Sequence, residues 1–350
     1  MTNRNQLLMR GRSAATTATQ SSELETLPAS QPPRAPGEGA LDVILDWGIY
    51  AVLACLIVYF AIASPYFLSP SNFLNIGSSV AVVGVLAVGM TIGLIAGQVD
   101  LTIGAVIGLT TVVISTLVLH NGFSFEVAIA VAIGCCLLVG LVNGILIVDL
   151  QINSIIATLA MSIVITGAAL IVAKGLVIPM TNLGLVDFIS ARPLGIPVTV
   201  AALALAFVLG YVVMAHTTIG WHIYAVGGSP SSALRAGIRV GLLIRLCLVL
   251  TALLAGVGGV ITAGESGGGA ASYGLGIEFS VLSAVLIGGA SLGGGAGKLE
   301  RTLAGVLLIG VLGNGMVLLN VDSYYQGLAK GAVFLFAVVL GALRQKRLSR

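Results

Sequence analysis

The residues that could do chemistry are few. The stretch Gly293-Gly294-Gly295-Ala296-Gly297-Lys298-Leu299 has the outline of a phosphate-cradling loop. Such a loop needs a glycine five residues before its Gly-Lys pair, and a Ser or Thr after the pair to hold magnesium. Those positions are Leu292 and Leu299. The chain therefore carries no ATPase site of its own, and the stretch reads as a glycine turn joining two helices.

Ion-driven transporters keep acids or histidines at mid-membrane, where a charge is costly and so functional. The acids here avoid that depth. Asp100, Glu126 and Glu278 precede apolar runs and Asp149 follows one. Acids before a helix stabilise its unpaired N–H groups by about 1 kcal/mol. Capping is the reading for Glu126; for Asp100 and Glu278 a place on a translocation path is an equal alternative. His120, His216 and His222 fall at run edges beside Trp221, where amphipathic rings settle. No proton relay is visible. Asn143, Thr158, Ser162 and Asn314 either line a passage for a hydroxylated solute or join helices by hydrogen bonds worth about 0.6 kcal/mol each. Arg245, four residues after Gly241, is expected to snorkel to the interface. Cys55, Cys135, Cys136 and Cys247 lie inside apolar runs without metal-ligand spacing and read as small hydrophobes. The chain is expected to bind no metal or cofactor itself.

The elements that carry these residues follow from composition. Of 350 residues 57% are apolar and 8% charged, against roughly 25% charged in a soluble domain. With a mean hydropathy of +1.10, the chain cannot cover a compact surface in water. Apolar runs of helix length, rather than ten-residue alternations, exclude an outer-membrane barrel. Ten runs are read: 43–64, 77–96, 101–119, 127–148, 155–173, 196–215, 241–263, 279–292, 303–319 and 328–343. The expected fold is all-α, a polytopic membrane bundle of about ten transmembrane helices over 43–343. A disordered cytoplasmic tail (1–42) precedes it and a basic cytoplasmic tail (344–350) follows.

Lysines and arginines mark the cytoplasmic side. With ten crossings that side receives Arg4, Arg10, Arg12, Arg34, Arg235, Arg239, Lys298, Arg301 and the basic C-terminal residues, leaving Lys174, Arg192 and Lys330 opposite. Both termini are thus expected in the cytoplasm. The run 279–292 is short for a span, and a re-entrant segment is its alternative. Glycines four residues apart, as in Gly89/Gly93/Gly97, Gly104/Gly108, Gly140/Gly144 and Gly327/Gly331, let helix backbones touch.

From about Asn72 onward the sequence resembles the membrane permeases of the ribose, xylose, arabinose and galactose class of bacterial ABC importers. The blocks that carry the resemblance are Gly97-Gln98-Val99-Asp100-Leu101-Thr102-Ile103-Gly104, Ile155-Ile156-Ala157-Thr158-Leu159-Ala160, Gly220-Trp221-His222-Ile223-Tyr224-Ala225-Val226-Gly227-Gly228-Ser229, Ala236-Gly237-Ile238, Val285-Leu286-Ile287-Gly288-Gly289-Ala290-Ser291-Leu292 and Ser323-Tyr324-Tyr325-Gln326, in the family's order.

The resemblance implies an inner-membrane permease paired with a second permease copy and surrounded by membrane lipid. It receives a monosaccharide from a periplasmic sugar-binding protein and is driven by a cytoplasmic ABC ATPase subunit that holds the ATP and Mg. Nucleic acid is not among its partners. The segment Gly220, Tyr224, Gly227, Gly228, Ser229, Ala236, Gly237 is then the loop that docks into the ATPase. The chain departs from the family at Pro230-Ser231-Ser232, where ribose permeases carry an acid followed by small residues, at Gly267-Gly268-Gly269, and at Ala296. Two other readings stand beside this one: a stand-alone ion-coupled transporter, and a permease of the same superfamily for a non-sugar solute such as a branched-chain amino acid.

Overall fold

Helix boundaries follow local signals in the sequence. Ser69, Asn153, Thr217 and Ser229 each accept a backbone N–H within the first turn that follows them. Pro70 and Pro230 occupy first helical positions, where a missing N–H costs nothing. Gly122 and Gly267 close helices in the left-handed conformation, at φ 65° and 61°. The computed structural model describes residues 38–180 and 183–348. Its helices are α1 (Glu38–Ala63), α2 (Pro70–Ser79), α3 (Ala81–Ile95), α4 (Ile103–Asn121), α5 (Phe125–Gly144), α6 (Ser154–Ala173), α7 (Gly184–Ser190), α8 (Val198–His216), α9 (Thr218–Gly228), α10 (Pro230–Arg235), α11 (Val240–Ser266), α12 (Ile277–Ile287), α13 (Leu299–Leu318) and α14 (Ser323–Leu348). A π-helical turn, Ile145–Asp149, ends α5. From Trp47 onward the chain is one compact unit.

Every apolar run falls on a helix, so the all-α polytopic membrane fold holds. Five helices, α6, α8, α11, α13 and α5 with its π turn, are each long and apolar enough to cross a bilayer; α2 and α3, bent by 50°, make a sixth when taken together. Two boundaries differ from the sequence reading. Helix α1 begins at Glu38, inside the segment assigned to the N-terminal tail, whose residues 1–37 lie outside the described ones. Helix α14 runs on to Leu348, because Arg, Gln, Lys and Leu all favour helix.

Helix α11 is the pillar of the bundle and packs on α3, α4 and α5. Small residues set its distances: a Cβ on Gly140 would stand 2.6 Å from Val249 Cα, and one on Gly89 would stand 3.0 Å from Thr251 Cα. Thr251 adds a hydroxyl bond to Gly89 O at 3.1 Å. Not every glycine pair works this way. Gly104 and Gly108 face an irregular chain, residues 267–276, and Gly327 and Gly331 line a cavity of about 420 Å³ against α12 and α13.

That irregular chain explains the short eighth run. After α11 the backbone forms a two-residue antiparallel pair, β1 (Ile178–Pro179) with β2 (Gly268–Gly269). It then descends along α4, with Gly269 against Thr111, Ala271 against Gly108 and Gly274 against Gly104. These contacts run from Gly104 to Thr111 of α4, about 10 Å, and the 11 residues of α12 add about 16 Å, approaching the roughly 30 Å of hydrocarbon. Irregular backbone is tolerated at such depth only where protein buries it, and Gly268, Gly269, Ala270, Ala271 and Gly274 are all buried.

Candidate functional site

The segment expected to dock into an ATPase forms a helical corner. Gly220 makes the turn from α8 into α9 tight, since any Cβ there would lie 2.6 Å from Met214 Cα. Ser229 ends α9 and caps α10, accepting Ser232 N at 3.3 Å. Ala236 closes α10 by donating its N–H to Ser232 O at 3.0 Å. Gly237 turns the chain away at φ 82°, a conformation that suits glycine. Pro230, Ser231, Ser232, Leu234 and Arg235 of α10 are exposed while Ala233 is buried, so the short helix presents one face outward.

At Gly227 and Gly228 the end of α9 meets two other loops backbone to backbone. Gly295 N donates to Ile95 O at 2.9 Å, and the Tyr224 hydroxyl donates to Gly297 O at 2.7 Å. A Cβ on Gly227 would run into Ile95 O and stand 2.5 Å from Gly295 N; one on Gly294 would stand 2.8 Å from Gly227 O, and one on Gly295 2.8 Å from Gly228 Cα. Gly294 and Gly295 hold φ at 85° and 72°. The glycine turn thus bolts the end of α3, the end of α9 and the start of α13 together backbone to backbone. Beside the junction a groove of about 230 Å³ is lined by Tyr211, Trp221, Tyr224, Lys298 and Glu300. Burial of the Tyr224 phenol, helped by the charge of Glu300, raises its pKa above the usual tyrosine value, so it remains a donor.

Of the residues read as path or glue, Asp100, Asn143 and Thr158 are brought together. Chain 97–102, between α3 and α4, is not helical. Its N–H groups are met by α6: Val99 N donates to Ser154 Oγ at 3.3 Å, and Leu101 N to Thr158 Oγ1 at 3.2 Å. Asp100 Oδ1 accepts Thr102 N at 2.9 Å and Thr102 Oγ1 at 2.5 Å, while Asn143 Nδ2 donates to Thr102 Oγ1 at 3.2 Å. Ser162, half-buried, lies one turn further along α6 and bonds Leu159 O at 2.8 Å.

Glu278 stands apart at the first turn of α12, pressed against Gly104. Asn314 is remote from the cluster and forms a reciprocal amide pair with Asn72, at 2.9 and 3.0 Å. Arg245 does not simply snorkel: it makes an ion pair with Asp149, across from α11 to the π turn after α5.

Sequence reasoning missed the contacts of Ile95, Asn72 and Thr102 and the role of Gly294 and Gly295. Thr102 stands in the Gly97–Gly104 block and the two glycines in the turn already noted, but their partners leave no mark in the sequence. Among the described residues no group of three His, Cys, Asp or Glu side chains gathers to hold a metal.

Comparison with known proteins agrees with this architecture. The chain is 36% identical over 300 residues to the ribose import permease protein RbsC of Bacillus subtilis, covering 85% of this chain and 93% of that protein. It is 34% identical over 319 residues to the L-arabinose ABC transporter permease protein AraH of Azospirillum brasilense, with coverage of 91% and 94%. A probable ABC transporter permease protein of Escherichia coli K12, YphD, is 33% identical over 314 residues, with coverage of 88% and 92%. No solved structure matches. The family described as the branched-chain amino acid transport system / permease component matches residues 72–338, and the chain belongs to that family.

Proposed function

We propose that this chain is the membrane-spanning permease subunit of an ATP-driven importer, a multi-pass protein of the bacterial inner membrane that passes a pentose or hexose from a periplasmic binding protein to the cytoplasm. It works with a cytoplasmic ATPase subunit, which holds ATP and Mg, and with a second permease copy. The observation that carries this reading is the three-loop glycine junction. A small exposed helix, α10, follows directly from Gly227–Gly228, which touch Ile95 at the end of α3 and Gly294–Gly295 in the turn that leads into α13, with no compressible side chain between. A force applied to α10 by a closing ATPase would therefore reach α3, chain 97–102 and α13 as displacement rather than side-chain rearrangement. Tilting those elements about the α11 pillar is what alternating access requires.

The sugar class rests on the relatives named for ribose and L-arabinose import. A branched-chain amino acid, the alternative that the family description suggests, calls for groups matching both a carboxylate and an ammonium, and the polar residues Asp100, Asn143, Thr158, Ser162, Glu278 and Asn314 include no cation to meet the carboxylate. The test is uptake by the reconstituted complex of permease, cognate ATPase and binding protein. ATP-dependent accumulation of one labelled pentose or hexose, with no accumulation of leucine, is expected. Leucine uptake without any sugar uptake would overturn the assignment.

A further inference from the structure

The corner where chain 97–102 meets α5 and α6 contains two oxygen atoms whose hydrogen-bonding capacity is unused. Asp100 is 2% exposed and Asn143 is 0% exposed. Asp100 Oδ2 and Asn143 Oδ1 are both buried without a partner. The two side chains are joined through one atom, Thr102 Oγ1, which donates to the carboxylate at 2.5 Å and accepts from the amide at 3.2 Å. A buried carboxylate with half of its acceptor capacity idle is expensive unless it is protonated or a counter-charge is present. Arg245, which packs against Gly144, is paired with Asp149 instead.

We propose that Asp100 and Asn143 hold an alkali cation, Na⁺ or K⁺, that pins the break between α3 and α4. The donors are hard oxygens carrying a single negative charge, which one monovalent ion balances and a divalent ion would over-balance. Unwound backbone beside a helix end is a setting in which membrane proteins bind such ions. The ion is held as part of the structure. It sits five residues from Ile95, the backbone oxygen of the glycine junction, so it stiffens the stretch that the junction moves. Water would satisfy an acceptor but leave the charge, and a proton on Asp100 would remove the charge with no ion at all.

Thermal unfolding of the full chain in detergent separates these cases. At fixed pH and ionic strength, the midpoint is measured in NaCl, KCl and choline chloride. The expected result is a midpoint several degrees higher in one alkali chloride than in choline chloride, rising with concentration to a plateau, and a loss of that difference in Asp100→Asn and in Asn143→Leu. Identical midpoints in all three salts would overturn the proposal and assign the pair a proton on Asp100 or a water. A salt-specific shift that survives both substitutions would also overturn it, since the ion would then sit elsewhere. Identical wild-type midpoints overturn the proposal even where a variant fails to fold. Transport plays no part in the readout, so the assignment as a sugar permease stands or falls separately.

Discussion

Tyr224 and Gly227 mark the residue scale of the coupling argument. The Tyr224 hydroxyl ties α9 to Gly297, and burial with the nearby Glu300 charge raises its pKa. Because the folded value lies above the unfolded one, near 10, the bond's contribution is fully present at neutral pH and is lost only as pH rises through the folded value. Tyr224→Phe should therefore cost about 1 kcal/mol of stability at pH 7, read as a lower melting midpoint, and raise the ATP consumed per sugar imported. Asn72 and Asn314 make a second test. Truncating one to Leu strands the other amide, at about 1–3 kcal/mol, whereas replacing both should cost clearly less than the sum. A strictly additive double-mutant cycle would mean that the amides do not pair. Sequence alone singled out Asn314, Asn143 and Thr158 as polar residues in apolar helices. Their partners stayed hidden because Asn72 lies 242 positions away from Asn314 and Thr102 lies 41 from Asn143, and apolar periodicity carries no record of contacts between distant helices.

At the scale of elements, the apolar runs made the helices legible, because each must cover about 20 residues to cross hydrocarbon. What they left out were the two non-helical stretches, 97–102 and 267–276. A hydrophobic run reports burial but not conformation, so the eighth run reads as a short span or a re-entrant segment, whereas the chain there is the 11-residue α12 preceded by partly buried irregular chain. The glycines there are explained by contact. A Cβ on Gly269 would stand 2.5 Å from Thr111 C and 2.8 Å from Ser115 Oγ, whereas Gly267, at φ 61°, has its nearest neighbour 4.0 Å away. Gly269→Val is expected to unseat the descending chain and abolish the monodisperse, detergent-soluble protein. Gly267→Asn, which tolerates a left-handed backbone, should leave the yield within about two-fold. Equal yields from both variants would show that 267–276 is not packed on α4.

For the whole molecule, the loop contacts fix which ends share a face. The glycine junction joins the ends of the second, sixth and eighth runs, and the β1–β2 pair joins the loops after the fifth and seventh. Even-numbered ends meeting even-numbered ends, and odd meeting odd, is the pattern that alternate crossings give. We propose that the junction face, which carries Arg235, Arg239, Lys298 and Arg301, is the cytoplasmic one. The central claim is that this chain moves solute only when an ATPase pushes on that face. Sugar uptake into proteoliposomes containing the permease, with and without its ATPase and binding protein, tests it most directly. The account predicts no uptake by the permease alone under an imposed proton or sodium gradient, and ATP-dependent uptake once both partners are present. Gradient-driven accumulation by the permease alone would contradict it.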